Sequence, residues 1–520
     1  MSDIYFASLD IGTSGVRAFI VSHSGKIKSK AYREYPCEYP RPGWVEQNVD
    51  IMWEKLCEAS RDAIAIAGIS ANSIKSLGIS SQRGTFIPVD KEIKPLMNSI
   101  VWSDIRANKE LNEILQNISK EDYYKISGVS ASSLWSYAKI KWFMENEKLL
   151  FDKTYKILNG QEYFLKKLGA EELTTDPSSI TMSGMLDVAN LTWSKDLCKL
   201  IDLPIEKLPE VGTPARMVGK ISKSAAEKTG FAEGMSIAIG GGDQQCTAVG
   251  AGIIKEGMGV VILGTGMALV THIESIKKDE KRTVIIGGSG IPGKWDMEGI
   301  QATGSSTLKW WQENFASIEN ISAKNLGLDV YKIIDLEAAN SPVGSKGLIF
   351  FPFFQGQCTP NYDDYAKGGF LGISFIHDKK DMMRAVMEGT SFETNMVKEA
   401  MEVVMGKQFF KLRISGGGAK SDLWSHIQAD IYGRPVERLE IAECGNLGAA
   451  ILGAYGCKYF SSIEEAVDQM VHIKDTIEPD AKNISIYNEE YNIFKKTFHL
   501  LSENNIYKEI SELQKNIGSF

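Results

Sequence analysis

The chain of 520 residues has room for two to four domains, and its 43% apolar and 24% charged residues are the balance of a globular protein rather than a disordered one. A formal charge of −8 with no basic block argues against nucleic acid as a partner, and the lack of an apolar run of about 18 residues or of a leader-type N-terminus argues against a membrane and against export. Seven cysteines (Cys37, Cys57, Cys198, Cys246, Cys358, Cys444, Cys457) are scattered without a C-x-x-C pair, which suits a reducing cytoplasm and neither zinc nor a disulfide framework.

Alternation of apolar and polar residues at Ile4–Leu9, Val16–Val21 and Ile27–Tyr32, broken by Gly12-Thr13-Ser14-Gly15 and by Ser24-Gly25, predicts a three-stranded antiparallel meander. From Asp50 to Ala67 the apolar spacing is helical, and Ile74–Ser80 reads as a further strand. Strands followed by helices in this order predict an α/β layer fold.

Further along, a short apolar strand running straight into glycines or small polar residues recurs four times: Ser8–Gly15, Ile237–Asp243, Val260–Gly266 and Leu412–Gly418. Glycine permits turns that a Cβ forbids, and the exposed N–H groups of such turns make concave anion sites. The first and third of these turns open two strand-rich halves, with a glycine-dense boundary near Gly250–Gly259. The expected organisation is 1–252, 253–460 and a tail of peripheral helices over 461–520.

No G-x-x-x-x-G-K-[ST], no strand-linked G-x-G-x-x-G and no H-E-x-x-H occurs, and the six histidines stand apart. Cys246 lies beside a glycine cluster without a nearby His and reads as a small buried hydrophobe. What remains is a set of glycine turns with two aspartates, Asp10 and Asp243, at strand ends. Carboxylates so placed can hold a divalent metal through its waters, take a proton from a hydroxyl attacking phosphorus, or simply cap a turn.

Ser8-Leu9-Asp10-Ile11-Gly12-Thr13-Ser14, with Arg17 after it, resembles the first phosphate loop of the FGGY carbohydrate kinases, members of the actin and hexokinase superfamily. Gly43-Trp44-Val45-Glu46-Gln47, Trp102-Ser103-Asp104-Ile105-Arg106, Lys139-Ile140-Lys141-Trp142, Gly241-Gly242-Asp243, Gly264-Thr265-Gly266 and Gly416-Gly417-Gly418-Ala419 follow in the family's order. So does a C-terminal signature running from Gly369 to Gly389. The resemblance implies two actin-like (ribonuclease H-like) ATPase domains flanking a catalytic cleft, with sugar mainly on 1–252 and ATP mainly on 253–460. It implies ATP and Mg2+ as cofactors and a small sugar as partner, and it is compatible with a homodimer. Asp243 would be the base for the sugar hydroxyl, and Asp10 would orient magnesium, with Asp243 also reaching the ion through water. Gly12, Thr13, Ser14, Arg17, Gly264, Thr265 and Gly266 would line the phosphate path. Gly304 and Ser305 would lie near the nucleotide, and Gly417, Gly418 and Ser421 near the nucleoside.

The acceptor is addressed by Gln82-Arg83-Gly84. Glycerol kinases resembling this chain have Gln-Arg-Glu there, xylulokinases Gln-Met-His-Gly and autoinducer-2 kinases Met-Arg-Glu-Gly. With Gly84, and with the tyrosine that helps bind glycerol in that family replaced near Leu134 or Trp135, the expectation is a roomier site in which Gln82 and Arg83 grip acceptor oxygens. Asp104 is expected to accept two sugar hydroxyls, Trp102 or Trp135 to stack on a sugar face, and Arg106 and Gln244 to join the same set. This favours a xylulokinase-like kinase of a ketopentose. An autoinducer-2 kinase and then a glycerol kinase are the alternatives within the family, and an actin-like chaperone or filament ATPase is the alternative outside it.

Overall fold

Three strands, β1 (Tyr5–Ile11), β2 (Gly15–Ser22) and β3 (Ile27–Glu34), form the predicted antiparallel meander in a computed structural model that describes residues 4–518. With β4 (Ile74–Ser81), β5 (Met217–Lys220) and β6 (Ser236–Gly242) they make a sheet in the order β5-β6-β4-β1-β2-β3. β1 is parallel to β4, and β4 to β6. Every side chain of β1 except that of Asp10 is buried, the pattern of a central strand covered on both faces.

The helix Val49–Ala67 packs on this sheet through Met52, Trp53, Leu56 and Ala63. Asn48 caps its start by accepting from the N–H groups of Asp50 and Ile51, and Gly68 ends it in the left-handed conformation. A second covering helix, Cys444–Gly456, comes from far along the chain and is rich in Gly and Ala. Its small residues let backbones meet: a Cβ on Gly78 of β4 would overlap the carbonyl of Ala449, and one on Gly448 would overlap that of Cys246.

A second sheet, of seven strands, contains β7 (Met258–Leu263), β8 (Met267–Ile273), β9 (Trp295–Gln301), β10 (Lys411–Gly416), β11 (Val436–Leu439) and β12 (Ile473–Ile477), in the order β9-β8-β7-β10-β11-β12, with the short strand Ile285–Gly288 outside β9. β7 is antiparallel to β8 and parallel to β10, and β10 is parallel to β11. Both sheets therefore share one plan: the first two strands pair antiparallel, two parallel strands lie beside the first, and an antiparallel strand closes that edge. This is the actin-like, ribonuclease H-like arrangement, present twice.

Two compact units result. One comprises the residues through Glu256, His272–Met297 and Glu443–His472; the other comprises Gly257–Thr271, Glu298–Ala442 and the chain from Ile473 onward. The 461–520 segment is not helical throughout as expected. Between the helices Ile463–Met470 and Ala481–Glu503 it contributes β12, an edge strand antiparallel to β11. Pairing with a distant strand, rather than local propensity, makes this stretch extended. No helix among the described residues is long and apolar enough to cross a membrane.

Candidate active site

In the first unit the candidate residues gather at the C-terminal ends of β1, β4 and β6. Asp10 is the next-to-last residue of β1. Its Oδ1 accepts from the Ser80 hydroxyl at 2.7 Å, and its Oδ2 lies 3.4 Å from the guanidinium of Arg17, its cross-strand neighbour on β2. The turn after β1 is fixed by Gly12 N–H donating to the Gly15 carbonyl and by the Tyr35 hydroxyl donating to the Gly12 carbonyl at 2.6 Å. Ser14 is exposed at its tip.

Thr13 lies in a chain of hydrogen bonds. Its hydroxyl donates to Gln82 Oε1 at 2.9 Å and accepts the indole N–H of Trp102 at 2.9 Å, while Gln82 in turn donates to Gln47 Oε1 at 2.9 Å. Gln47 closes the loop by donating to the Thr13 carbonyl. Trp102, 42% exposed, is thus an open aromatic wall tied to the phosphate-type turn, not a core residue.

Asp243 opens the helix Asp243–Gly250 directly after the glycines of β6. Arg83 Nε donates to its Oδ1 at 3.2 Å, as does the Gln244 N–H at 3.0 Å; the Arg83 side chain is only 4% exposed and that of Asp243 is 40% exposed. The carboxylate is held from its buried side and presented to solvent on the other. The strand behind it is braced by a buried polar group that the sequence did not reveal. Ser178 accepts the Gly242 N–H at 2.9 Å and donates to Asp176, and Gln161 accepts the Gly240 N–H at 3.1 Å and donates to Asp176 at 2.9 Å. Cys246 is fully buried behind them. Burial first, then the carboxylates of Asp176, Asp10 and Asp243, push its thiol pKa well up, so it is no nucleophile.

Two expectations are corrected. Asp104 is completely buried, with both oxygens engaged by Arg106 at 2.7–3.0 Å and one also by the Val45 N–H at 2.6 Å. Arg106 also donates to Glu46 at 2.8 Å and lies against Trp44 and Trp142, 3.7 and 4.9 Å from the ring centres. An acid whose oxygens are spent inside the protein cannot receive sugar hydroxyls, so Asp104 and Arg106 form the scaffold under Trp102. Nor does Gly84 leave the expected room. It has φ +71°, and a Cβ there would meet the Met182 carbonyl at 3.2 Å and Trp102 Cβ at 3.3 Å. Trp135 is also buried, its indole N–H donating to the Ser130 carbonyl at 2.6 Å.

The second unit assembles its candidates by backbone contact instead. Gly264-Thr265-Gly266 joins β7 to β8, and the N–H groups of Gly304 and Ser305 donate to the Thr265 and Gly264 carbonyls at 2.8 and 2.9 Å. Ser305 begins the helix Ser305–Phe315. A Cβ on Gly304 would lie 2.7 Å from the Gly266 carbonyl carbon, and one on Gly418 would lie 3.0 Å from both Leu263 Cβ and Ser305 Oγ. Gly417 has open space around it. The structure therefore brings 264–266, 304–305 and 416–418 into one glycine cluster past β7 and β10. Ser421 is a helix cap: its hydroxyl accepts the Trp424 N–H at 3.0 Å and donates to Asp335 at 2.9 Å.

For a divalent cation, Asp10 and Asp243 supply oxygen donors only, the chemistry that Mg2+ prefers. Among the described residues no group of three or more His, Cys, Asp or Glu forms a cage. The donor set therefore fits an ion that keeps most of its waters and shares phosphate oxygens, not an all-protein site.

Two family descriptions match. Residues 5–250 match the N-terminal domain of the FGGY family of carbohydrate kinases, and residues 259–457 match its C-terminal domain. The chain is 27% identical to xylulose kinase of Bacillus subtilis (strain 168) over 99% of each chain. It is 29% identical to glycerol kinase of Thermococcus kodakarensis over 89% of this chain and 90% of that one. The crystal structure of a ligand-bound xylulose kinase from Lactobacillus acidophilus superposes with a TM-score of 0.86 at 22% identity, covering 96% of this chain and 98% of the other, which establishes the fold.

Proposed function

This chain belongs to the FGGY family of carbohydrate kinases, ATP-dependent phosphotransferases, and from that premise we propose that its acceptor is a ketopentose, xylulose first among them. The observation that carries the choice is Gln82-Arg83-Gly84. Arg83 is committed to Asp243, and the next residue is a left-handed glycine that offers no carboxylate to a short polyol. The full-length likeness to a xylulose kinase supports the same acceptor.

In this reading the acceptor hydroxyl gives its proton to Asp243 while its oxygen attacks the γ-phosphorus of ATP, and the bond to the bridging oxygen breaks to release ADP. Arg83 and the Gln244 N–H hold the carboxylate in position, leaving its solvent side for the proton. Trp102 offers its face to the sugar's C–H groups, and its tether to Thr13 ties the acceptor wall to the first phosphate turn. Gln82 and Gln47 keep that turn in register. The first unit mainly holds the acceptor, and the glycine cluster of the second mainly holds the nucleotide, whose oxygens can approach backbone N–H groups where no Cβ intervenes. Asp10 and Asp243 are the residues that would hold Mg2+ through its waters, and the ion supplies charge neutralisation at the transferring phosphoryl group.

A coupled ADP-release screen over pentuloses, hexuloses, polyols and sugar acids tests this. D-Xylulose or another ketopentose should exceed glycerol in kcat/KM by at least about tenfold, since a site shaped for one set of hydroxyls discriminates against ligands that leave its polar groups unpaired. Glycerol or D-gluconate as the best acceptor overturns the ketopentose assignment. Strong ATP turnover without any acceptor overturns the sugar-kinase mechanism and favours a filament-type ATPase.

A further inference from the structure

Lys139 belongs to the Lys139-Ile140-Lys141-Trp142 motif, to which the chemistry above gives no task. It lies in the first turn of the helix Ser136–Asn146, and its side chain is entirely buried. Its ammonium has three N–H donors and meets three backbone carbonyls: Val101 at 2.9 Å, Trp102 at 3.0 Å and Leu134 at 2.9 Å. Donors and acceptors match in number, and no carboxylate bonds to it directly. Burial disfavours the charge, the Asp104 carboxylate nearby supports it and the Arg106 guanidinium opposes it. A lysine is rarely buried unless it has such partners, and ordinary packing would be served by a methionine of similar length.

The carbonyls it gathers come from two separate stretches. One is the Val101–Trp102 backbone, which carries the exposed indole. The other is Leu134, half-buried; by the resemblance to glycerol kinases a polyol-binding tyrosine is replaced near Leu134 or Trp135. One helical turn on, Trp142 of the same motif lies against Arg106, which grips Asp104 and so the rest of the 101–106 loop. The helix thus supports that loop twice, by Trp142 from below and by Lys139 at its backbone, and only Lys139 also holds the 134 stretch.

We propose that Lys139 is a positioning residue for the acceptor: by clamping the Trp102 and Leu134 carbonyls to one ammonium, it fixes the gap between two walls of the sugar site and thereby the size of sugar accepted. This rests on the assignment of Trp102 to the acceptor site made above and on the resemblance that puts an acceptor-facing residue near Leu134 or Trp135. Lys139 takes no part in proton or phosphoryl transfer, so its loss should act on acceptor binding and selectivity and spare the nucleotide.

The test uses full-length Lys139→Met, which keeps the stem and removes the donors, and Lys139→Gln, which keeps two of them. Steady-state kinetics are run with D-xylulose, D-gluconate and glycerol as acceptors, beside thermal melts of each variant. For Lys139→Met the expected result is a rise of about tenfold or more in acceptor KM, with ATP KM within about twofold and kcat within about threefold. The ratio of kcat/KM between D-xylulose and glycerol should contract by about fivefold, with Lys139→Gln between Met and wild type. Unchanged acceptor KM and selectivity, or a parallel loss in both substrates that follows the melt, overturns the proposal. If Lys139→Met does not fold, Lys139→Gln decides by the same criteria, and failure of both to fold assigns the lysine to stability alone and overturns it. A wild type that uses glycerol but not D-xylulose overturns the ketopentose assignment and leaves the Lys139 split to be read on glycerol.

Discussion

The two units build their candidate sites by opposite means on one topology. In the first, the working groups are side chains, Asp10, Asp243, Arg83 and Trp102, each held by another side chain or a buried polar network. In the second, five of the eight candidates are glycines, and what is arranged is mostly bare backbone. The difference follows from the tasks proposed for them. Proton removal and sugar recognition need particular functional groups with set directions, whereas a nucleotide's phosphates and ribose need N–H groups and the absence of Cβ atoms. Damage should therefore take different forms: in the first unit by deleting a group, in the second by adding one.

The largest expected effect is that of Asp243→Asn. The amide keeps the shape and cannot accept the proton, so sugar-dependent kcat should fall by about 10²–10⁴ while nucleotide affinity by calorimetry stays within a few fold. Near-normal turnover at saturating acceptor would remove Asp243 from the role of base.

Next comes the scaffold of the same unit. Arg106→Met leaves the Asp104 carboxylate buried without its main partner, a change that typically costs about 3–5 kcal/mol. The melting temperature should drop clearly, and Asp104→Leu on top of it should recover part of the loss, because the fully buried orphaned charge is then gone while Glu46 still lacks its partner. If the double variant melts no higher than the single one, the pair is not the source of the effect.

The second unit is probed by two alanines that sharpen the contrast. Gly304→Ala forces a Cβ against the Gly266 backbone and the Met267 side chain, so it should lower the melting temperature and raise ATP KM together, by about tenfold for the latter. Gly417→Ala adds a methyl where nothing lies within 4 Å, so the melt should stay put and any change should appear in ATP KM alone. An unchanged ATP KM in Gly417→Ala would detach that glycine from the nucleotide.

The smallest effect lies far from either chemistry. Glu490, on the helix Ala481–Glu503, has its pKa raised to about 9, first by burial and then by the neighbouring Glu388 carboxylate, against the pull of Arg384. A folded value raised above the ordinary 4.5 means stability that is fully present below about pH 4.5 and lost as pH climbs through about 9. Glu490→Gln, which mimics the protonated form, should melt at a more nearly constant temperature between those limits and above wild type at the alkaline end. Identical pH profiles for the two proteins would show that Glu490 does not titrate on unfolding.

Much of the first unit was legible because its signals are local. The meander over β1–β3, the helix ending at Ala67 and the glycine turns each declare themselves within a few residues, by alternation, helical spacing or a residue that tolerates unusual backbone. Asp10 and Asp243 were found because each sits where a strand runs out. Asp104 was misread for the converse reason. Its type and neighbourhood suit sugar binding, and only the return of Arg106 onto it, flanked by Trp44 and Trp142, spends its oxygens.

By itself, then, the sequence determined the α/β class, the duplicated strand-to-glycine turns, the two strand-end carboxylates and the likeness to sugar kinases, since all of these are written in short-range pattern or in motif order. Only the tertiary structure decided that Trp102 is open while Asp104 and Arg106 are closed, that Gly84 is a left-handed turn rather than a vacancy, that residues 473–477 are an edge strand, and that residues 443–472 return to the first unit. Each depends on distant partners: Trp44, Val45 and Glu46 closing around the neighbouring Asp104 and Arg106, the Met182 carbonyl beside Gly84, or a strand edge or covering face contributed by residues far along the chain. Burial and hydrogen bonding are settled by those meetings, and no local window of the chain contains them.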